Sequence, residues 1–287
     1  MFERLIKRAE IVIEALPYLR QFYGKTIVIK YGGNAMTDKA LKSKVIQGVV
    51  LLHYLGMKPV LVHGGGPEIS KELKKKNIET KFVEGLRVTD ESAMRVVDHA
   101  LARVNSQLVT MINKGGGVAR EYSGKKGKVI HAKKHVIIRN KQKIDLGFVG
   151  DVTKIDVKEL RSVIEKGKVP VISSVGVDGR GNVYNINADS VASEVAGHLQ
   201  AEKLILLTNV RGVMDKKDRL VSLINASKVR RYIRNGVISG GMIPKVRCGL
   251  NALKMGVQKV HIIDGRIPHA ILLELFTDFG IGTMVER

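Results

Sequence analysis

Short apolar runs alternate with longer amphipathic runs along most of this chain. Short apolar runs between polar residues predict buried strands, whereas apolar side chains that recur three and four residues apart predict helices. The predicted strands are 26–30, 58–62, 169–172, 203–208 and 259–263. The predicted helices are 40–55, 67–76, 91–112, 157–165, 188–199 and 243–255. This alternation predicts an α/β protein, a three-layer αβα sandwich with a mainly parallel central sheet.

Two stretches break this alternation. Residues 128–151 contain short β-type runs separated by polar turns, which suit antiparallel ribbons better than a strand–helix crossover. The segment DGRGN, residues 178–182, predicts a tight turn. A boundary near this turn would separate an N-terminal lobe, 23–178, from a C-terminal lobe, 179–287. The N-terminal segment, 1–22, precedes both lobes.

The first residues predict an amphipathic helix. Their apolar side chains recur at helical spacing, and Pro17 is expected to end the helix. The apolar positions are Phe2, Leu5, Ile6, Ala9, Val12, Ile13 and Leu16. Glutamates interrupt the run, which argues against a signal or transit peptide. The helix either packs on its own domain or pairs with another subunit, and the spacing favours neither.

The composition is that of a globular protein. Hydrophobic residues make up 44% and charged residues 26% of the 287 residues, enough for one large domain or two lobes. The single cysteine, Cys248, cannot form an internal disulfide, so we expect a reducing, cytoplasmic setting. No Cys/His cluster has metal-ligand spacing, and no apolar run approaches the ~18 residues of a membrane span. We therefore expect neither a protein-bound metal centre nor a membrane partner.

The net charge is strongly positive. Lys and Arg number 49 against 27 Asp and Glu, which gives a formal charge of +22. The lysines are spread along the whole chain and aromatic residues make up only 5%, whereas a nucleic-acid surface would combine basic clusters with exposed aromatic residues. The charge therefore favours solvation and the steering of small anions over nucleic-acid binding. An acidic protein partner remains an alternative.

Glycine-rich turns follow the first two predicted strands. The segment KYGGN places Gly32 and Gly33 directly after Lys30, and HGGGP places three glycines before Pro67. Because the carboxyl ends of parallel strands meet at one edge of the sheet, both turns are expected where ligands bind. Their backbone N–H groups could bind one anion together. Neither a Walker A motif nor a strand-borne GxGxxG occurs. The plainer alternatives are ordinary turns and a solvated lysine at a strand end.

Three further positions could bind charged groups. Arg87 precedes a long predicted helix and could hold a carboxylate through two hydrogen bonds, or lie at the surface. Asp189 begins the predicted helix 188–199, where its plainer role is that of an N-cap. Lys245 lies in the first turn of the helix 243–255, where a cation is unfavourable unless it faces a negative ligand or Asp189.

Seven segments occur in an order that resembles the amino-acid kinase family. They are KYGGNAM, VLVHGGGPEIS, FVEGLRVTD, LGFVGDV, YNINADSVASEVA, LILLTNVRGVMD and SGGMIPKV. The resemblance extends from about residue 25 to the C-terminus, and the ordered set is far more specific than any one segment. It implies the fold of that family and the ATP- and Mg²⁺-dependent phosphorylation of the side-chain carboxylate of N-acetyl-L-glutamate, in arginine biosynthesis.

The resemblance also implies roles for individual residues. Lys30 and Lys245 would neutralise the transferred phosphoryl group, and Asp189 would hold both lysines. Arg87 and Asn185 would bind the α-carboxylate of the substrate. Backbone N–H groups of Gly33, Gly65 and Gly66 would face the phosphoryl group, with Gly65 and Gly66 also beside the substrate. The ATP site would be lined by Lys30, Gly32, Gly33, Thr208, Val210, Gly212, Val213, Asp215, Gly241, Met242 and Lys245. Mg²⁺ would be held mainly by phosphates and water.

Regulation by L-arginine is a further implication of the resemblance. In the branch of the family with a helix before the first strand, members are arginine-inhibited homohexamers, trimers of dimers, in which these helices interlace. Residues 2–19 match that helix. The residues that match the arginine site are Tyr18, His261, Glu274 and Gly280. On spacing alone, Glu274 could equally be a solvated helix carboxylate.

Two other functions remain open. A related kinase that acts on aminoadipate or glutamate linked to a carrier protein would suit the +22 charge, although the segment GLRVTD and the N-terminal helix argue against it. A non-catalytic amino-acid sensor on the same scaffold would have no need of a paired-lysine phosphoryl site. One departure from the family pattern, Ser106 where relatives more often have lysine, lies near the expected dimer contact and away from the chemistry.

Overall fold

A computed structural model describes residues 2–36, 38–124, 126–139, 142–278 and 280–287. Eight of its strands form the central sheet. They are β1 (Thr26–Tyr31), β2 (Lys58–His63), β5 (Ala119–Tyr122), β8 (Val169–Ser173), β11 (Lys203–Thr208), β12 (Leu223–Asn225), β13 (Lys259–Asp264) and β14 (Thr283–Glu286). Their order across the sheet is β12-β14-β13-β11-β1-β2-β8-β5. The strands from β13 to β5 run parallel, whereas β14 is antiparallel to β13 and parallel to β12. The predicted α/β class with a mainly parallel sheet is confirmed.

Helices cover this sheet on both faces. They are α1 (Phe2–Glu14), α2 (Leu16–Phe22), α3 (Lys39–Tyr54), α4 (Gly66–Lys75), α5 (Glu91–Lys114), α6 (Val157–Glu165), α7 (Ala188–Leu199), α8 (Ala226–Arg234), α9 (Met242–Lys254) and α10 (Ala270–Leu275), with a 3₁₀ helix at Gly33–Met36. Across the described ranges, none of these helices combines the length and apolar character that a bilayer crossing requires.

The core lies in two layers, one on each face of the sheet. Strand alternation sends Val28 and Val60 to the face that α7 and α9 cover, and Ile29 and Leu61 to the face that α3 and α5 cover. All four side chains are fully buried. Because both faces are covered, the parallel strands consist of nearly continuous apolar residues, and this is why their positions could be predicted from the sequence.

Two smaller β structures border the edge of the sheet where the parallel strands end. Strands β6 (Ile130–Arg139) and β7 (Gln142–Ile155) form a long antiparallel pair, as predicted for this region, and join β9 (Val175–Val177) and β10 (Val183–Asn185) in a closed four-stranded sheet. A two-residue pair, β3 (Phe82–Val83) with β4 (Leu86–Arg87), forms a separate hairpin. Sequence analysis placed no strand at β3, β4, β9 or β10, which are too short for a periodic pattern.

The N-terminal prediction needs a correction. Pro17 does not end a helix: α1 ends at Glu14, and Pro17 lies in the first turn of the second helix, α2. Proline is tolerated there because the N–H groups of a first turn have no partner within the helix. The side chain of Phe22, at the end of α2, is buried, whereas the apolar side chains of α1 are largely exposed, with Phe2 at 78% and Val12 at 67%. In the described chain α1 therefore does not bury its apolar face on its own domain.

Candidate functional site

The two glycine turns meet at one cavity of about 260 Å³ at the carboxyl ends of β1, β2, β8 and β10. Adjacent strands β1 and β2 are paired in register up to Tyr31 and His63, so the turns that follow them lie side by side. The predicted residues that line the cavity are Lys30, Gly32, Gly33, Gly65, Gly66, Arg87, Asn185 and Asp189. Residues as distant in the sequence as Lys30 and Asp189 thus lie together at one edge of the sheet.

Asp189 lies between two lysines. Lys30 Nζ forms an ion pair with Asp189 Oδ1 at 3.0 Å, and Lys245 Nζ donates a hydrogen bond to Oδ2 at 2.7 Å. Asp189 is 5% exposed and Lys30 8% exposed. Burial alone would raise the pKa of Asp189, but the attraction of Lys30 and Lys245 outweighs it and lowers the pKa to about 2. The carboxylate is therefore ionised at neutral pH, and the cluster carries one excess positive charge.

The local structure of α7 holds Asp189 in this position. Asn187 is the N-cap of α7, and its side-chain oxygen accepts hydrogen bonds from the backbone N–H groups of Asp189 and Ser190 at 2.8 and 3.2 Å. The alternative in which Asp189 itself caps the helix is therefore wrong. Because Asn187 satisfies the first backbone donors, both carboxylate oxygens of Asp189 remain available to the lysines.

The glycines allow the backbone to approach other groups closely. Gly33 has φ +74°, and a Cβ there would lie 2.5 Å from the side-chain oxygen of Asn209. A Cβ on Gly65 would lie 2.6 Å from Leu101 Cδ2. Gly65 is the N-cap of α4, and no side chain accepts hydrogen bonds from the first N–H groups of this helix. These N–H groups form the positive end of the helix dipole and lie at the edge of the cavity.

Arg87 is held rigidly in the wall of the same cavity. Its guanidinium donates hydrogen bonds to Ser70 Oγ at 2.8 Å and Thr80 Oγ1 at 3.2 Å, and stacks over the ring of Phe82 at 4.7 Å. It is 8% exposed, and burial lowers the pKa of this guanidinium. Within the described ranges, no carboxylate forms an ion pair with Arg87. A buried, oriented cation with unmet charge is suited to a carboxylate ligand.

Asn185 completes the polar wall near Arg87. It is the last residue of β10, and its side-chain nitrogen lies 3.4 Å from Thr89 Oγ1, the upper end of the hydrogen-bond range. This weak contact leaves its amide able to hydrogen-bond to a ligand in the cavity.

Among the predicted nucleotide residues, only Lys30, Gly32 and Gly33 line the cavity. None of the residues from 208 to 215 lines the cavity. Thr208 and Val213 have buried side chains, and Thr208 Oγ1 donates to the backbone oxygen of Val210 at 2.8 Å. Asp215 accepts hydrogen bonds from backbone N–H groups of its own turn. The predicted ATP contacts of the residues from Thr208 to Asp215, of Gly241 and of Met242 stay predictions.

The predicted regulatory residues meet at a second cavity, of about 390 Å³. Tyr18, His261, Glu274 and Gly280 all line it. Glu274 is 8% exposed, lies 2.5 Å from His261 Nδ1, and accepts a hydrogen bond from Ile281 N–H at 2.9 Å. Burial raises the pKa of Glu274, but His261 and the backbone donor lower it overall. The alternative of a solvated helix carboxylate is therefore wrong.

Lys203 belongs to this second cavity, and sequence analysis missed it. Its Nζ lies 3.0 Å from His261 Nε2 and 5.2 Å from the ring of Phe22. Burial and the nearby charge of Lys259 lower the pKa of Lys203 to about 8. The sequence places Lys203 only at the start of a predicted strand, and the folded structure reveals that Phe22 of α2 lies beside it.

The sequence and the fold are similar to those of known proteins. The model of the amino acid kinase family matches residues 25–264. A curated acetylglutamate kinase from Caldicellulosiruptor saccharolyticus is 50% identical, over 99% of this chain and 98% of its own length.

Solved structures of N-acetylglutamate synthase from Neisseria gonorrhoeae are also similar. One complex, with coenzyme A and N-acetyl-glutamate, superposes with a TM-score of 0.88 at 25% identity, and covers 97% of this chain and 63% of the synthase. A second, with coenzyme A and L-arginine, has a TM-score of 0.81 at 25% identity, with 97% and 65% coverage. This chain thus spans less than two thirds of the synthase. The match to the family model and the full-length relative establish that this chain belongs to the amino acid kinase family.

Proposed function

We propose that this protein transfers the γ-phosphoryl group of ATP to the side-chain carboxylate of N-acetyl-L-glutamate, a step of arginine biosynthesis. The observation that carries the proposal is the Lys30–Asp189–Lys245 cluster, whose Lys30 and Asp189 line the cavity of the two glycine turns together with the buried cation of Arg87. The full-length similarity to an acetylglutamate kinase supports the same substrate. A cavity of about 260 Å³ lies just below the ~300–1,000 Å³ common for ligand pockets and suits a small acylated amino acid.

The reaction needs charge stabilisation more than proton transfer. A carboxylate that attacks ATP is already ionised, so the site requires no general base. The barrier is the approach of one anion to another, and catalysis then depends on positioning and on positive charge around the transferred group. Lys30 and Lys245 supply that charge, since one carboxylate neutralises only one of them. Backbone N–H groups of Gly33, Gly65 and Gly66 add hydrogen bonds without bringing further counter-charge.

Arg87 and Asn185 orient the substrate. Stacking on Phe82 and hydrogen bonds to the hydroxyls of Ser70 and Thr80 fix the plane of the guanidinium before any ligand arrives. A fixed guanidinium binds the α-carboxylate with little loss of conformational entropy. The side-chain carboxylate then extends toward the lysine cluster, where it reacts.

ATP would bind over the residues from 179 to the C-terminus, with its phosphates between Gly32, Gly33 and the start of α9. Magnesium would be held by those phosphates and by water, because both oxygens of Asp189 face lysines. The described residues contain no group of three His, Cys, Asp or Glu side chains that could hold a metal ion. When bound, Mg²⁺ would withdraw charge from the phosphate oxygens.

Substrate choice is tested by ADP release in a coupled assay. With ATP and Mg²⁺, we expect turnover on N-acetyl-L-glutamate and little on glutamate, aspartate or carbamate, because Arg87 and Asn185 are arranged for an acylated substrate. Preference for a carrier-linked aminoadipate or glutamate would favour the related kinase. ATP binding without any turnover would favour a non-catalytic sensor.

The lysine cluster is tested by truncation. Lys30→Ala and Lys245→Ala should each lower kcat about 10²- to 10³-fold, because each removes a positive group that stabilises the transition state. The matched control is Lys25→Ala. It removes an exposed lysine directly before the first residue of β1, and it should leave kcat within about twofold of the wild type. Near-normal turnover of either cluster variant would contradict the mechanism.

L-Arginine is the proposed inhibitor at the second cavity. Its guanidinium or amino group would bind the buried carboxylate of Glu274 beside Tyr18, His261 and Gly280. The L-arginine complex of the similar synthase supports the choice of ligand. Charge-assisted hydrogen bonds of this kind contribute enough to binding that their loss is measurable.

The inhibitor site is tested with Glu274→Gln. This variant keeps the shape of the side chain but removes its charge, so the L-arginine concentration for half inhibition should rise at least about tenfold, with uninhibited kcat within about twofold. Glu286→Gln, which lies outside this cavity on β14, is the control and should keep wild-type inhibition. Unchanged inhibition of the Glu274 variant would remove Glu274 from the site.

A homohexamer is the proposed assembly, with α1 helices interlaced between dimers. Support comes from the apolar side chains on one face of α1, which are more than 50% exposed at Phe2, Ile6, Val12 and Ile13. Such an apolar face is suited to another copy of the same helix.

Assembly is tested by sedimentation velocity. Deleting residues 2–14 should convert hexamers to dimers while basal turnover persists, because α1 does not border the catalytic cavity. The double substitution Ile6→Asp with Val12→Asp should do the same, since it places charge on the apolar face. Glu10→Gln, on the same helix, should leave the particle unchanged. A hexamer that survives the deletion would refute the role of α1.

A further inference from the structure

Three polar side chains form a row beneath the catalytic cavity. Tyr31, His63 and Ser173 occupy matching positions at the ends of β1, β2 and β8, where Tyr31 pairs with His63 and His63 with Ser173. In register, their side chains lie on one face of the sheet. All three are buried, with exposures of 0%, 0% and 1%. A polar row in an otherwise apolar layer calls for a physical reason.

Each member of the row directly precedes a residue that lines the cavity. Gly32, Gly64 and Ser174 follow Tyr31, His63 and Ser173, and all three line it. Backbone hydrogen bonds extend the pairing by one step, from Gly64 N–H to Tyr31 O at 3.2 Å and from Ser174 N–H to His63 O at 3.1 Å. The row is therefore tied directly to the turns that proposed catalysis depends on.

His63 makes the contact that matters most for these turns. Its Nδ1 lies 2.9 Å from the backbone oxygen of Gly64. Because a carbonyl oxygen can only accept, Nδ1 carries the proton and donates it. Burial lowers the pKa of His63 to about 4, so the ring is neutral and Nε2 is an acceptor. Nε2 has no hydrogen-bond partner within the described part of the chain.

The bond from His63 sets the direction of the next N–H group. In a trans peptide the C=O and N–H point in opposite directions. The Gly64 carbonyl points toward His63 and the buried layer, so the N–H of Gly65 points the other way, toward the cavity. No acceptor for that N–H occurs among the described residues, which leaves it available to a ligand.

We propose that His63 is a positioning residue, which aims the Gly65 N–H at the transferred phosphoryl group through its hydrogen bond to the Gly64 carbonyl. The inference rests on the proposed function, in which that N–H faces the phosphoryl group. His63 itself touches neither the nucleotide nor the acyl amino acid. The proposed effect of His63 is confined to the orientation of the Gly64–Gly65 peptide group. An experiment can therefore distinguish it from a general role of His63 in packing.

The test compares His63→Leu, which removes the donor, with His63→Asn, whose side-chain amide can donate from near the Nδ1 position. We expect His63→Leu to lower kcat about 10- to 100-fold, as a misaligned donor does, with KM for N-acetyl-L-glutamate within about threefold. His63→Asn should recover most of that loss. Ser173→Ala is the matched control, because it alters the row without touching Gly64, and its kcat should stay within about threefold.

Crystal structures of the variants give a readout that does not depend on turnover. The peptide between Gly64 and Gly65 should rotate in His63→Leu and keep its direction in His63→Asn. If His63→Leu does not fold, His63→Gln replaces it, since its amide reaches the Nε2 position instead. Equal kcat in all variants, equal losses in the Leu and Asn variants, or an unrotated peptide would overturn the inference. A wild-type protein inactive on N-acetyl-L-glutamate would overturn the proposed function, whereas the peptide rotation would still be measured.

Discussion

Asp189 holds two ammonium groups from distant parts of the chain at one point, and the arrangement of the site depends on this. Lys30 comes from the end of β1 and Lys245 from the first turn of α9. Two neighbouring cations would repel each other without the carboxylate between them, and a buried carboxylate would be costly without the cations. A pKa of about 2 for Asp189 means that the carboxylate keeps its negative charge throughout the pH range in which proteins are usually folded. Positive charge is therefore in place before an anion binds, which is the condition for electrostatic preorganisation.

The parallel sheet converts this local arrangement into a complete site. Because β1, β2 and β8 end in register, the turns after them lie next to each other, and the hairpin of β3 and β4 brings Arg87 into the wall of the same cavity. Hydrogen bonds from Gly64 and Ser174 to the preceding strands continue the sheet into the turns. The glycine backbone is thus fixed by neighbours beneath it, although it carries no side chains of its own.

Sequence patterns predicted the parts of the structure that depend on local chemistry. Fully buried strands such as β1 and β11 consist of apolar runs, and glycine turns after strands are readily recognised. Asn187 and Asp189 are both good N-cap types, so spacing could not decide which one caps α7. Helix α8 is short and buries only Val229, and sequence analysis did not place it. The burial of Lys203 and the break between α1 and α2 depend on tertiary contacts and on the tolerance of a first turn for proline, which no local pattern specifies.

The two cavities lie at opposite ends of the same pair of strands. Ile27 of β1 pairs with Lys203 of β11 beside the second cavity, and Lys30 pairs with Leu206 beside the catalytic one. Three residues of strand separate these levels, roughly 10 Å. A ligand beside Lys203 and Glu274 would therefore not contact the Lys30–Asp189–Lys245 cluster. Inhibition by a ligand there would have to act through the elements that line the second cavity, which are α2, α10 and the strands from β11 to β14. Paired parallel strands resist sliding, so α2, which follows the largely exposed helix α1, would be the more compliant route.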